Sequence, residues 1–113
     1  MEIADIYQDV EYKENKPAIK VLFETSFTKE IRIVMKKGQV MKEHQTAFPI
    51  VVEIVDGKIN FGVEGNVHNL KKGGLLALEG GVPHDLKAIE DSIVRLTLTK
   101  SDKINRVLSV IRD

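Results

Sequence analysis

Short β-rich runs separated by glycine turns leave this chain few folds to choose from. Val, Ile, Leu, Phe and Thr recur in AIKVLFETSF, KEIRIVMKKG, PIVVEIVDG, KINFGVEG, LLALEGG and SIVRLTLTK. Between them lie Lys37-Gly38, Asp56-Gly57, Glu64-Gly65, Gly73-Gly74 and Gly80-Gly81, pairs that supply the positive φ of tight turns at small steric cost. Strands so closely spaced, with no helix-length pattern between them, predict an all-β sandwich or barrel rather than alternating β and α units. Asp56-Gly57, closely flanked by two β-rich runs, reads as a hairpin turn. The 113 residues suffice for one domain. With 42% hydrophobic against 30% charged residues, that domain can bury an ordinary core.

Both ends depart from the pattern. Residues 1–16 are charged and lack periodicity, and Asn15-Lys16-Pro17 reads as a turn before the first strand. An N-terminal arm over 1–16 and a barrel over 17–100 are therefore expected. Over 101–113 the period changes. Ser101 can cap a helix, Asp102 suits its first turn, and Ile104, Val107, Leu108 and Ile111 fall on one face, which predicts a short C-terminal helix.

Charge and composition exclude several functions. Seventeen Lys and Arg balance seventeen Asp and Glu, so no global field gathers nucleic acid or an anionic membrane, and neither partner is expected. The absence of cysteine removes disulfides, thiolate nucleophiles and Cys-based metal sites. The start MEIADIYQDVEYKENK is acidic where a secretory signal is basic and then apolar, and no later run suits a membrane span. A cytoplasmic location is the expectation. Ser26, Ser92, Ser101 and Ser109 lie outside any nucleophile-elbow pattern, and no G-x-x-x-x-G-K-[ST] loop is present.

The stretches GQVMKEHQTAFPIVVEIVDG and GGLLALEGGVPHDLKA resemble the two motifs of the cupin family, small antiparallel jelly-roll barrels. Gly38, His44 and Gly57 fall on the first motif, G-x5-H-x-H-x3-E-x6-G, with Thr46 and Ile50 at its second His and its Glu. Gly73, Gly81 and His84 fall on the second, G-x5-P-x-G-x2-H-x3-N, with Glu79 and Ala88 in place of Pro and Asn. The resemblance covers roughly residues 20–100 and implies an antiparallel jelly-roll barrel. It also implies an interior site of three histidines and a glutamate holding Fe, Mn, Ni or Zn. Only His44 and His84 of that set are present, so a divalent transition metal is expected to bind weakly or not at all.

Could another carboxylate substitute? If His44, Thr46 and Ile50 take the family's inward positions, strand alternation carries Val52 and Ile54 inward and turns Glu53 outward. A bulge at Ala47-Phe48-Pro49 would shift that parity. Glu43 and Gln45 count as outward, Glu79 as a solvated turn residue, and His68 as an exposed or edge-strand histidine.

Two functional readings follow. The first is a binding module whose interior, lined by His44, Thr46, Phe48, Ile50, Val52 and His84, accepts a small molecule. The alternative is a metal-dependent isomerase or dioxygenase-type enzyme that uses His44 and His84. A third resembles the sugar-sensing cupin domains of transcription regulators, although no DNA-binding helix-turn-helix accompanies this domain. Apolar residues on both parities of PIVVEIV, with Val51 and Val55 opposite Ile50, Val52 and Ile54, leave a second face to cover, so a homodimer is expected.

Overall fold

Side-chain alternation sorts the strands of this chain into two antiparallel sheets packed face to face. A computed structural model describes residues 1–100, and the helix expected over 101–113 lies outside them. The strands are β1 (Ala18–Glu24), β2 (Thr28–Met35), β3 (Val40–His44), β4 (Ile50–Asp56), β5 (Lys58–Val63), β6 (Asn66–Lys71), β7 (Leu75–Leu78), β8 (His84–Ala88) and β9 (Ser92–Thr99). The larger sheet has the order β1-β2-β9-β4-β7 and the smaller one β3-β8-β5-β6. The expected all-β antiparallel architecture is present. No helix among the described residues is long and apolar enough to cross a membrane.

The core lies between the sheets. Ile31, Ile33 and Met35 of β2, Ile50, Val52 and Ile54 of β4, and Val94 of β9 meet Ile59 and Phe61 of β5 and Leu86 and Ala88 of β8. Burying each of the larger side chains is worth roughly 1.5–3 kcal/mol. The alternation through β4 runs unbroken past Pro49: Ile50, Val52 and Ile54 are at most 2% exposed, whereas Val51 is 40% exposed. The register of β4 shifts only later, between Ile54 and Asp56.

Asp56-Gly57 is not a hairpin. β4 pairs with β7 and β9, while β5 pairs with β6 and β8, so Gly57 carries the chain from one sheet to the other. The cause is local crowding. Gly57 has φ +87°, and a Cβ there would lie 2.2 Å from Ser92 Oγ and 2.4 Å from the Asp91 carbonyl. The fully buried Ser92 hydroxyl bonds the Lys58 N–H and the Glu90 carbonyl, tying the crossover to the start of β9. Glu64-Gly65, by contrast, joins two paired strands, β5 and β6, and its glycine has open space around it.

The N-terminal segment lies against the outer face of the larger sheet. Arg32, only 4% exposed, donates from Nη1 to the carbonyls of Ile6 (3.1 Å) and Gln8 (2.7 Å) and from Nη2 to that of Asp9 (3.3 Å). Ala4 and Ile6 share a surface cleft with Phe23, Val55 and Arg95. Val55 is therefore partly covered within the chain. Further along the segment, burial and the carboxylates of Asp91 and Asp56 push the Tyr12 phenol above its usual pKa.

The contrast between the two turns is measurable by urea denaturation. Gly57→Ala should cost about 3 kcal/mol or more, because steric overlap adds to the backbone penalty, whereas Gly65→Ala should cost about 1 kcal/mol. Equal losses would show that Ser92 does not crowd the crossover.

Candidate functional site

A one-residue irregularity in β3 makes the site. Met41 pairs with Leu86 on the inner face, and two-residue alternation would next bring Glu43 opposite His84. Instead the register shifts between Met41 and His44, and His44 becomes the partner of His84. Such a bulge re-aims the side chains that follow it. Glu43 is left exposed on the surface.

The two imidazoles lie 4.3 Å apart between ring centroids, edge to face at 63°. His84 is 3% exposed and stacks on Phe61 at 5.4 Å and 10°. His44 Nδ1 lies 2.8 Å from the Lys42 carbonyl, and His84 Nδ1 lies 2.9 Å from the Val82 carbonyl. A carbonyl oxygen can only accept, so both Nδ1 atoms carry the proton. In the neutral rings both Nε2 atoms therefore keep a lone pair for another group.

The other residues singled out in the sequence are placed differently. Thr46 donates its hydroxyl to the Phe48 carbonyl at 3.0 Å, while its own carbonyl accepts from Gly81 N–H at 2.8 Å. Both groups thus hold the β3–β4 connection, where Phe48 is half-buried. Ile50 and Val52 are packed into the core at 1% and 2% exposure. Glu53 points outward and accepts from Arg95 Nε at 3.0 Å. His68 is exposed on β6, an edge strand, opposite Phe61 and hence on the inner face. Glu79 is exposed.

On the far side of Phe61 from the core, a cleft of about 310 Å³ opens between β6 and β7, which are edge strands among the described residues. It is lined by Phe61, Val63, His68, Leu70, Leu76 and Leu78, with Leu75 and Ala77 at its rim. Phe61 links it to the histidine pair by stacking on His84, and Val63 pairs with His84 across β5 and β8. Apart from His68, which the sequence marks as an exposed or edge-strand histidine, these lining residues were missed in the sequence. Their signal was the inward parity of β5 and β7, which needs the strand register to be visible.

The four-ligand metal site implied by the cupin motifs does not fit this donor set. Two imidazole nitrogens are available, Thr46 offers a neutral hydroxyl already engaged in a turn, and Ile50 has no donor atom. Among the described residues, no group of three or more His, Cys, Asp or Glu side chains gathers to hold an ion.

The two histidines should differ in their weight for folding. His84→Ala removes a buried, stacked and hydrogen-bonded ring and should cost about 2–3 kcal/mol, whereas half-buried His44→Ala should cost about 1 kcal/mol or less. Chemical denaturation of both variants tests this, and a larger loss at His44 would overturn the assigned burial.

Neither a family model nor a curated protein sequence matches this chain. Solved structures do. An RmlC-like cupin protein from Desulfovibrio desulfuricans superposes with a TM-score of 0.81 at 20% identity, over 88% of this chain and 96% of that one. A conserved protein with a double-stranded β-helix domain from Klebsiella pneumoniae gives 0.80 at 18% identity, over 90% and 92%. KdgF from a Halomonas species gives 0.74 at 18% identity, over 92% and 99%. At such identities the likeness concerns the backbone rather than the chemistry. With its two facing antiparallel sheets and these neighbours, the chain has the cupin fold.

Proposed function

We propose that this protein binds a small molecule between its sheets, with an apolar body in the β6–β7 cleft and one polar group at the His44–His84 pair. The observation that carries the reading is the double role of Phe61, which lines the cleft and stacks on His84. An apolar wall with a few convergent polar groups is the usual make-up of a small-molecule site. The fixed Nδ1–H tautomers define the polar end. A neutral Nε2 accepts from a hydroxyl or amide, and a protonated ring donates to a carboxylate. His68 at the cleft offers a second polar contact. No step of this reading passes through a metal, and the isomerase or dioxygenase alternative would require donors beyond the two histidines.

The test is nuclear magnetic resonance titration with a panel of small aromatic and aliphatic alcohols and carboxylic acids. Binders should shift Phe61, Val63, His68, Leu76 and Leu78 together with the imidazole Nε2 signals. The double variant His44→Gln and His84→Gln should weaken them about tenfold, the scale of one or two lost hydrogen bonds. Unchanged affinity in a folded double variant would place the site elsewhere.

Thr46→His with Ile50→Glu tests the inferred loss of metal ligands. Ile50→Glu alone should destabilise the metal-free protein by several kcal/mol, since it buries a carboxyl in the core. In the double variant, Zn or Ni should raise the melting temperature while leaving the wild type nearly unmoved. No rescue from a folded double variant would show that these side chains do not converge on the histidine pair.

A further inference from the structure

The outer face of the smaller sheet carries residues that folding alone does not explain. Ile59 and Phe61 of β5 point into the core, so Lys58, Asn60 and Gly62 point outward, and none of these three is a favoured strand residue. Lys58 stands directly opposite Lys71 on β6, Asn60 stands opposite Asn69, and across β8 Asn60 faces Lys87. Like charges in directly opposite positions destabilise a sheet. Lys58 reaches Glu90 at 3.4 Å, but both partners are more than half exposed, and such a pair contributes little. Lys71 and Lys87 form no ion pair among the described residues. Asn60 is half-buried in a strand paired on both sides, yet neither its amide nor that of Asn69 bonds a described residue. With Leu70 and the exposed Ile89, these side chains enclose a cleft of about 450 Å³. It lies beside Ser92, where β9 begins. Thr99 and Lys100 bond Pro49 and Phe27 at the other end of β9, eight residues or roughly 25 Å away.

We infer that this outer cleft is a second binding site, for a small oxyanion that carries hydroxyl groups, either a phosphate ester or a hydroxy acid. An oxyanion shared by Lys58 and Lys71 offsets the repulsion between them. Each asparagine amide offers N–H donors to the anion and a carbonyl that accepts from a hydroxyl, so the Asn60–Asn69 pair suits a ligand with both groups. Ile89 supplies an apolar contact for the carbon skeleton. The other end of the same face does not suit an anion: beside Gly62 and Val67 lie Glu43, Glu64 and Asp85, with Lys42 the one cation of that cleft. The outer site is separate from the interior one, because Asn60 and Phe61 are neighbours on β5 and point to opposite faces.

Nuclear magnetic resonance titration of the full chain with inorganic phosphate, glycerol phosphate and tartrate tests this. Inorganic phosphate should bind with a dissociation constant of about 10 mM at low salt, and one of the two organic probes about tenfold more tightly. The tighter probe tells the phosphate ester from the hydroxy acid. Both should shift the Asn60 and Asn69 side-chain amides. Lys71→Gln should weaken binding of all three probes about tenfold. Asn60→Thr should abolish the preference over inorganic phosphate while raising the melting temperature, since threonine suits a strand better than asparagine. Lys42→Gln on the same face, and the His44→Gln and His84→Gln double variant of the interior, should leave all three affinities unchanged. Four results overturn the assignment: no saturable shift up to about 50 mM, equal affinity for the three probes, a preference that survives Asn60→Thr, or a loss in either control as large as that in Lys71→Gln.

Discussion

A side chain on a paired strand has only two directions to point, and almost everything in this protein follows from which residues point inward. A one-residue slip in any strand would move its whole apolar set to solvent. The central strands are therefore pinned by long, regular ladders: β9 is held by β2 on one side and β4 on the other, and β5 by β6 and β8. That rigidity is what gives a single irregularity its leverage. In β3 the shift after Met41 exchanges an inward glutamate for an inward histidine opposite His84. A regular β3 would place a carboxylate beside a buried imidazole. The irregular one places a second imidazole there, held by a carbonyl two residues back.

The outer face of the larger sheet shows the same register producing an electrostatic problem. Lys20, Arg32, Arg95 and Glu53 lie in one cross-strand row, which sets two arginines directly opposite each other. Like charges in that position destabilise a sheet. The conflict is resolved by turning the two guanidinium groups apart. Arg95 reaches Glu53 and Glu30, whose carboxylate also accepts from the Thr97 hydroxyl. Arg32 turns to the carbonyls of Ile6, Gln8 and Asp9. Its Nε has no partner among the described residues, so the backbone carbonyls of the N-terminal segment supply the compensation for this buried cation. The segment is thus part of the electrostatics of the sheet.

How much of this was legible in the sequence depended on how apolar each strand is. β2, β4 and β9 read directly as Val- and Ile-rich runs, and the turn glycines marked their ends. β3, β6 and β8, with sequences VMKEH, NVHNLK and HDLKA, carry too many polar residues to read as strands alone. They carry all three histidines. Edge strands β3 and β6 need polar residues, and β8 presents Asp85 and Lys87 outward, so composition hides the elements that hold the site. The motif spacing located His44 and His84 without showing how they meet, because the β3 shift has no signature in residue type. The Asp56-Gly57 turn misled for a related reason: a glycine with positive φ states that the chain reverses direction, not which sheet it enters next.

The donors present do not complete the metal site that the cupin motifs imply, yet both imidazoles are held in fixed orientations. Backbone carbonyls at Lys42 and Val82 fix both rings whether or not anything binds Nε2, and the orientation of a histidine by its other nitrogen is what makes it a good ligand in metal proteins. Here the same device fixes two imidazoles, one of them stacked on Phe61 of the apolar cleft. Ile50, at the position of the glutamate in the cupin motif, packs into the core, where a carboxylate would need a cation to offset its burial. An isoleucine there carries no such need and is surrounded by the apolar side chains of the core. The small molecule proposed above would meet the pair at Nε2, with Phe61 and the β6–β7 cleft as its apolar surface.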